Sequence, residues 1–464
     1  MKKNKQTESE IQTQNQIQTS QKEVSKKKFS HGLPVFNPFA AGVDVGDTFF
    51  DVAISDGVEG HEVRRYESFT EDTINLVDWL VSEGITTVAM ESTGIYWINL
   101  YLMLEEAGIE PYLVNAKHVK NVTGRKKDDT DAIWIQKLHC CGLLQKSFQP
   151  EGEIRVLRTF VRQRKNLVTM CSDSVRRMQK ALELMNIKVH TVLSDILGKT
   201  GLQMVLAIIE GERNVDELMK LKDPRIKAKE ENIRKSLVGI WKDENLFLLK
   251  QAYDEYMFYQ SQINACEEKI QTQLLKQVAI VMDGDISDIQ FEKKKPKKNQ
   301  FSCDVRSMLK IIVGVDLCKL EGISEISSLE LISEIGTDMT KWKNSNHFNG
   351  WLNLAPNTKI TGGKIISSKM QKKKNYAGQT LRMSASNVSS SKTPMGDYSR
   401  KMKARLGKKG GVVATAHKMA TIIYTMIKEK REYNPEIIAN NQQKWKEKRI
   451  KNLKKQLMQL EMAS

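Results

Sequence analysis

Four carboxylates and one hydroxyl in this 464-residue chain have the types and settings that phosphodiester chemistry needs. Asp44 lies inside the apolar stretch "FAAGVDVGDTFFDVAISDG", where an unpaired carboxylate is costly to bury. Glu91 ends a second apolar stretch, "TTVAMEST", directly before Ser92-Thr93-Gly94. Asp128 and Asp131 open a helical segment three residues apart, so both lie on one face. Asp129, about 100° round from Asp128, points elsewhere. Carboxylates that converge repel unless a cation joins them, and hard oxygen ligands select Mg2+ or Mn2+. Two such ions about 4 Å apart stabilise the attacking and the leaving oxygens of phosphodiester cleavage. Each acid also has a plainer use. Asp44 could pair with a lysine, Glu91 could cap the next turn, and Asp128 and Asp131 could serve a helix dipole. The ordered set in a basic α/β protein favours the metal reading.

The hydroxyl is that of Thr361, in "LAPNTKITGGKIISSKMQKKKNY", residues 354–376. A Pro-Asn turn leads to Thr361, then to Gly362-Gly363 and Lys364, and on into a run of lysines and serines. Such a stretch is either a flexible surface loop or a loop that holds a phosphate beside a nucleophile. In the second case Gly362 and Gly363 let the backbone come close to the phosphate and Lys364 helps to neutralise it.

The elements that would position these groups follow from the patterning. The stretch around Asp44 reads as a strand, a tight turn at Gly46-Asp47 and a second strand ended by Asp56-Gly57. "TINLVDWLVSEG" has apolar residues at 74, 76, 77 and 80, a helical face closed by Gly84. A strand ending at Glu91, a helix ending at Gly108, the strand "IEPYLVNA" and the helix "DTDAIWIQKLHCCGLL" follow. Strand-strand-helix-strand-helix-strand-helix over 36–150 describes an α/β domain with a mixed sheet, of the kind a ribonuclease-H-like centre uses. Over 151–290 the strand signals vanish. Two long, charged, periodic segments there predict a helical hairpin or coiled coil, with shorter helices between them. The Lys-rich linker "FEKKKPKKNQF", 291–301, leads to a mainly helical region over 302–432 and a basic helical tail over 433–464. Gly314 and Gly322 flank short helices in a helix-hairpin-helix-like pattern, either as phosphate-approaching turns or as helix caps.

Composition agrees with a polyanionic partner. Lys and Arg number 73 against 56 Asp and Glu, a net charge of +17, and nucleic acid is the commonest partner of such an excess. The six cysteines form no CxxC pair and the histidines no HxxxH spacing, which argues against structural zinc and for a reduced, cytoplasmic compartment. No run approaches a membrane span. Residues 1–35 are a polar, Gln- and Lys-rich arm with the composition of disorder and no apolar signal core.

Four stretches then carry a resemblance: "GVDVGDTFFDVAI", "MESTGIYWINLYLMLEEAGI", "VNAKHVKNVTGRKKDDTDAIWIQKLHCCGLL" and "LNLAPNTKITGGKIISSK…LRMSA…ATAHKMATIIYTMIK". In this order, over about residues 38–432, the chain resembles bacterial insertion-sequence transposases of the IS110 group. The K-x-D-x-x-D-A motif falls on Lys126, Asp128, Asp131 and Ala132, and the ESTG motif on Glu91 to Gly94. The resemblance implies a Holliday-junction-resolvase-like (RuvC-like) domain whose Asp-Glu-Asp-Asp metal positions are Asp44, Glu91, Asp128 and Asp131. It implies a helical middle and a C-terminal domain whose serine attacks a phosphodiester and holds the DNA covalently. It further implies donor and target DNA paired to an element-encoded guide RNA. Dimers joined in a synaptic tetramer would have acids and hydroxyl from different subunits sharing a site, in a nucleoid-associated location. Where the group's pattern has Ser-Gly-Gly-Lys, this chain has Thr361-Gly362-Gly363-Lys364. Threonine keeps the hydroxyl, adds a methyl and stiffens χ1, and can still be a nucleophile when activated. Two alternatives stand beside strand transfer. One is a metal-dependent, structure-specific DNA nuclease using the four acids alone; the other is an inactive nucleic-acid-binding relative.

Overall fold

A computed structural model describes residues 34–55, 60–92, 94–115, 119, 130–150, 152–284, 286, 289–292, 300–371, 373–437 and scattered positions from 439 to 458. Most of the N-terminal arm, the lysines of the 291–301 linker and most of the tail beyond 437 lie outside the described residues. The chain divides after Gln149 into two compact units.

In the first unit β1 (Ala40–Val45), β2 (Phe49–Ser55) and β3 (His61–Glu67) form an antiparallel meander. Helix α1 (Thr70–Ser82) leads to β4 (Thr87–Glu91), and α2 (Trp97–Glu106) leads to β5 (Glu110–Val114). Strand β4 runs parallel to β1, and β5 parallel to β4, so the sheet order is β3-β2-β1-β4-β5. Helix α3 (Asp131–Cys140) completes the unit. Pleating explains the two cores. Ala41, Val43 and Val45 of β1 and Val88 and Met90 of β4 pack with Leu76, Leu80, Leu100 and Leu104 of α1 and α2. Ala89 and Val114 turn the other way, to Trp134, Ile135 and Leu138 of α3. Fully burying one such leucine contributes about 2 kcal/mol.

The mixed sheet expected from the sequence is therefore present, with an arrangement consistent with a ribonuclease-H-like domain. Two details differ. Strand β3 adds a member that patterning did not show, because "HEVRRYE" is a polar edge strand with no buried residue. On α1, Ile74 is exposed and Trp79 joins the core instead.

The second unit begins with α4 (Gly152–Leu184). The short helices α5 (Val189–Val192), α6 (Lys199–Ile209), α7 (Val215–Lys220) and α8 (Glu230–Leu237) connect it to α9 (Asp243–Val281). Helices α4 and α9 are antiparallel. Gln273 Nε2 donates to the Glu153 carbonyl at 3.1 Å near one end, and Arg177 Nη1 to Glu255 Oε1 at 2.9 Å near the other. Between them Arg164 and Glu267 form a buried ion pair, N···O 2.6 Å.

Then come α10 (Val305–Val313), α11 (Glu325–Ile335), α12 (Ser345–Trp351), strands β6 (Lys359–Thr361) and β7 (Lys364–Ser367), α13 (Tyr376–Asn387) and α14 (Pro394–Glu429), which bends at Gly407. Arg158 and Arg162 of α4 both bind Glu334 of α11 at 3.0 and 2.6 Å. Glu330, one turn away, takes Lys165 at 3.0 Å and the Thr380 hydroxyl at 2.6 Å. Among the described residues no helix is long and apolar enough to cross a membrane.

Candidate active site

Strand register decides which of the acids meet. The parallel ladder pairs Ala40 with Thr87 and continues in step to Val43 with Met90, so the next residues along are Asp44 and Glu91. They stand on neighbouring strands about 5 Å apart. Asp44 alternates with Val43 and Val45, and Glu91 with Met90, all of which face α1 and α2; both acids therefore share the opposite face, that of α3. Each is half-buried.

Gly42 brings α3 onto that face. A Cβ at Gly42 would lie 2.4 Å from the Ala132 carbonyl oxygen and 2.3 Å from the Gln136 nitrogen, so the helix backbone rests directly on the strand. Further along α3, Gln136 Nε2 donates to the Ala40 carbonyl at 3.2 Å. His139 lies 2.9 Å from Thr87 Oγ1, at the start of β4. Helix α3 thus runs antiparallel to β1, and its first residue, Asp131, belongs to the end of the sheet where Asp44 and Glu91 stand. Thr130 caps the helix, its hydroxyl accepting from the Ile133 nitrogen at 3.3 Å. Asp131 is exposed.

The C-terminal half of α3 is fixed by neutral bonds. Thr87 Oγ1 donates to the Glu110 carbonyl at 3.0 Å, so its oxygen accepts from His139 Nε2–H. Burial pushes His139 down to about 4, leaving it neutral at physiological pH. His61 of β3 and Gln136 share a further bond of 3.0 Å.

Lys126 and Asp128 lie outside the described residues. Among the described residues no three His, Cys, Asp or Glu side chains form a group that could hold a metal ion. The donors that are described nevertheless suit a hard divalent cation: carboxylate oxygens, two of them side by side, on one face of the sheet. Sequence reasoning passed over two neighbours. Asp51 of β2 is the register partner of Asp44, and Arg65 of β3 is the partner of Asp51. Asp51, a polar residue between buried Phe50 and Val52 on β2, was a signal for the first; the second needed β3.

Thr361 belongs to the second unit. The stretch read as a loop is an antiparallel hairpin: Thr361 pairs with Lys364 and Ile360 with Ile365 around a Gly362-Gly363 turn. Both turn glycines have positive φ, 54° and 76°, as a two-residue hairpin turn of the primed type requires. All four residues from Thr361 to Lys364 are exposed. The base is anchored by buried Asn353, whose Nδ2 donates to the Gln371 and Lys373 carbonyls at 3.0 and 2.9 Å. Gly314 and Gly322 each have a structural use. Gly314 caps α10 in the left-handed region, and a Cβ at Gly322 would meet the Ser384 carbonyl oxygen at 3.1 Å.

Residues 41–187 match a family model described as Transposase, of the Asp-Glu-Asp-Asp IS110 type. Residues 316–400 match the Transposase IS116/IS110/IS902 family. No curated protein matches the chain. The first match takes in β1, β4 and α3 with Asp44, Glu91 and Asp131, and the second takes in the hairpin with Thr361. The chain belongs to the IS110 family of transposases.

Proposed function

We propose that this transposase moves an insertion sequence by cutting and rejoining donor and target DNA. Asp44, Glu91, Asp128 and Asp131 hold Mg2+, or Mn2+ in its place, and Thr361 supplies the attacking hydroxyl. The observation that carries the reading is the β1–β4 register, which sets Asp44 beside Glu91 on the face where Asp131 begins α3. When bound, the divalent cation neutralises charge on the phosphate and on the oxygens that become anionic.

The chain's own groups do the rest. The carboxylates orient the reacting phosphate through what they bind. Thr361 Oγ1 gives up its proton and bonds to phosphorus. One bridging ester oxygen leaves with its electron pair and takes up a proton. The exposed Gly362-Gly363 turn admits the backbone of the DNA, and Lys126 and Lys364 offset phosphate charge. An element-encoded guide RNA pairing with both DNAs, assembly of dimers into a tetramer, and a cytoplasmic, nucleoid-associated setting belong to the same reading.

Cleavage reactions on denaturing gels test it. A covalent protein–DNA adduct is expected, lost in Thr361→Ala, kept in Thr361→Ser and abolished by EDTA. Metal-dependent cleavage without an adduct, indifferent to Thr361→Ala, would replace strand transfer with carboxylate-only hydrolysis. No cleavage by the wild type, with recovery in Thr361→Ser, would mark an inactive relative.

A further inference from the structure

The row of side chains that crosses the sheet at Asp44 continues beyond the acids. Asp44 stands opposite Asp51, and Asp51 opposite Arg65, so all three share the face on which Glu91 and α3 lie. Carboxylates directly across a strand pair repel. Asp51 is answered by a two-pronged fork: Arg65 Nε donates to Oδ1 at 2.7 Å and Nη2 to Oδ2 at 2.8 Å. The same guanidinium lies over the Phe49 ring, 3.9 Å from its centroid. A long side chain is thus held in one orientation although it remains 62% exposed. Its Nη1 makes no hydrogen bond to a described residue.

We propose that Arg65 is a phosphate-binding residue, gripping the DNA backbone phosphate next to the one that is cut. The inference rests on the reading of Asp44 and Glu91 as the cutting carboxylates. A row of carboxylates repels the polyanion it must bind, and a fixed cation at its rim offsets that repulsion. Two strand spacings put the Arg65 backbone about 10 Å from that of Asp44, and the fork turns its guanidinium back toward the acids. With Nε and Nη2 engaged, the Nη1 hydrogens point outward in the guanidinium plane, the arrangement that suits phosphate oxygens. Because Asp51 and Phe49 already fix the side chain, little rotamer freedom remains to be lost on binding. The competing account is a cross-strand ion pair that serves only the sheet edge.

Salt dependence separates the two accounts. Anisotropy of a fluorescein-labelled single-stranded DNA oligonucleotide, and of RNA of the same sequence, is measured with the full chain across a salt series, Ca2+ replacing Mg2+. Arg65→Gln is expected to weaken DNA binding about tenfold. It should also reduce the slope of log affinity against log salt by about 0.7, one phosphate contact on a single strand. Arg65→Lys should keep the slope but not the full affinity, because an ammonium cannot fork. An unchanged slope in Arg65→Gln, a fall confined to RNA, or no binding by the wild type overturns the proposal. Should Arg65→Gln not fold, wild-type affinity in Arg65→Lys overturns it. Asp44→Asn tests the underlying reading separately: Mg2+-dependent cleavage that survives it removes the acidic row as the cutting centre, whatever Arg65 does.

Discussion

Replacing Gly42 by alanine adds one methyl group where the backbone of α3 rests on β1, two residues before Asp44. The added Cβ would stand 2.3 Å from the Gln136 nitrogen, 2.4 Å from the Ala132 carbonyl oxygen and 2.7 Å from the Gln136 Cα. An ordinary carbon contact needs about 3.5 Å, so the helix must withdraw by about 1 Å. Backbone cannot swing aside as a side-chain end can, so the strain falls at the upper part of the usual 1–3 kcal/mol for overpacking, about 3 kcal/mol. Withdrawal also stretches the Gln136–Ala40 and His139–Thr87 bonds, each contributing about 1 kcal/mol.

Asp131, next to Ala132, moves with the helix relative to Asp44 and Glu91. A misplacement of about 1 Å at a catalytic group costs about 100-fold in rate. Circular dichroism melting should therefore show the first unit losing roughly 10 °C or more. Mg2+-dependent cleavage, measured well below that melt, should fall by about two orders of magnitude. Gly350→Ala is the control, since nothing lies within 4 Å of its Cβ; its stability should change by less than about 1 kcal/mol. Wild-type stability and wild-type cleavage in Gly42→Ala would refute both the α3 placement and the role given to Asp131.

Three other outcomes are expected. Arg164→Ala strands Glu267 in the hairpin core and should cost about 3–5 kcal/mol in urea titrations. Burial raises the Glu267 carboxyl and Arg164 pulls it down, so losing Arg164 raises it further. A raised carboxyl stabilises at low pH and loses that contribution as pH rises, so the deficit of Arg164→Ala should be smaller near pH 4 than near pH 8. His139 titrates the other way: its folded value of about 4 lies below the unfolded 6.5. Its contribution is complete above the unfolded value and declines on acidification, by about 2 kcal/mol at pH 5 relative to pH 8; this slope should be absent in His139→Gln. Gly362→Val and Gly363→Val each place a branched side chain at positive φ, a strain of about 1–2 kcal/mol. With nothing within 4 Å of either site, no clash adds to that strain, so the unfolding midpoint should fall by only a few degrees while adduct yield falls strongly, and an undiminished yield would detach the turn from the chemistry.

The chain wrote its buried elements plainly and β3, an edge strand with no buried residue, faintly. β1, β4 and β5 are legible because parallel strands covered on both faces are continuous apolar runs, and α1, α2, α4 and α9 because one face repeats at helical period. β3 escaped because an edge strand need bury neither face: Arg64 and Arg65 cover Trp79 and Phe49 from outside. With β3 went Arg65, whose place depends on pairing rather than on local pattern. Asp44 and Glu91 were legible as polar residues at the ends of apolar strands. Their shared face was not, since a one-residue slip in register would have turned one of them away. Gly42 gave no local sign at all, because its reason is a helix ninety residues later in the sequence.

The hairpin changes what Thr361 means. In a loop, replacing serine by threonine only adds bulk beside the hydroxyl. At the last position of β6, opposite Lys364, a β-branched residue fits the strand and has a more restricted χ1 than serine. A two-stranded hairpin standing alone is marginally stable, so the few tenths of a kcal/mol from such a residue matter there more than in a sheet. The turn glycines pull the other way, since their freedom weakens the ordered hairpin while their positive φ makes it geometrically attainable. Threonine offsets the looseness that Gly362-Gly363 introduces. Thr361 is exposed, so its methyl group has room among the described residues, and a steric cost would arise against the DNA of the proposed reaction. The substitution is therefore compatible with an intact nucleophile on physical grounds: it exchanges rotational freedom of the hydroxyl for a firmer strand beneath it.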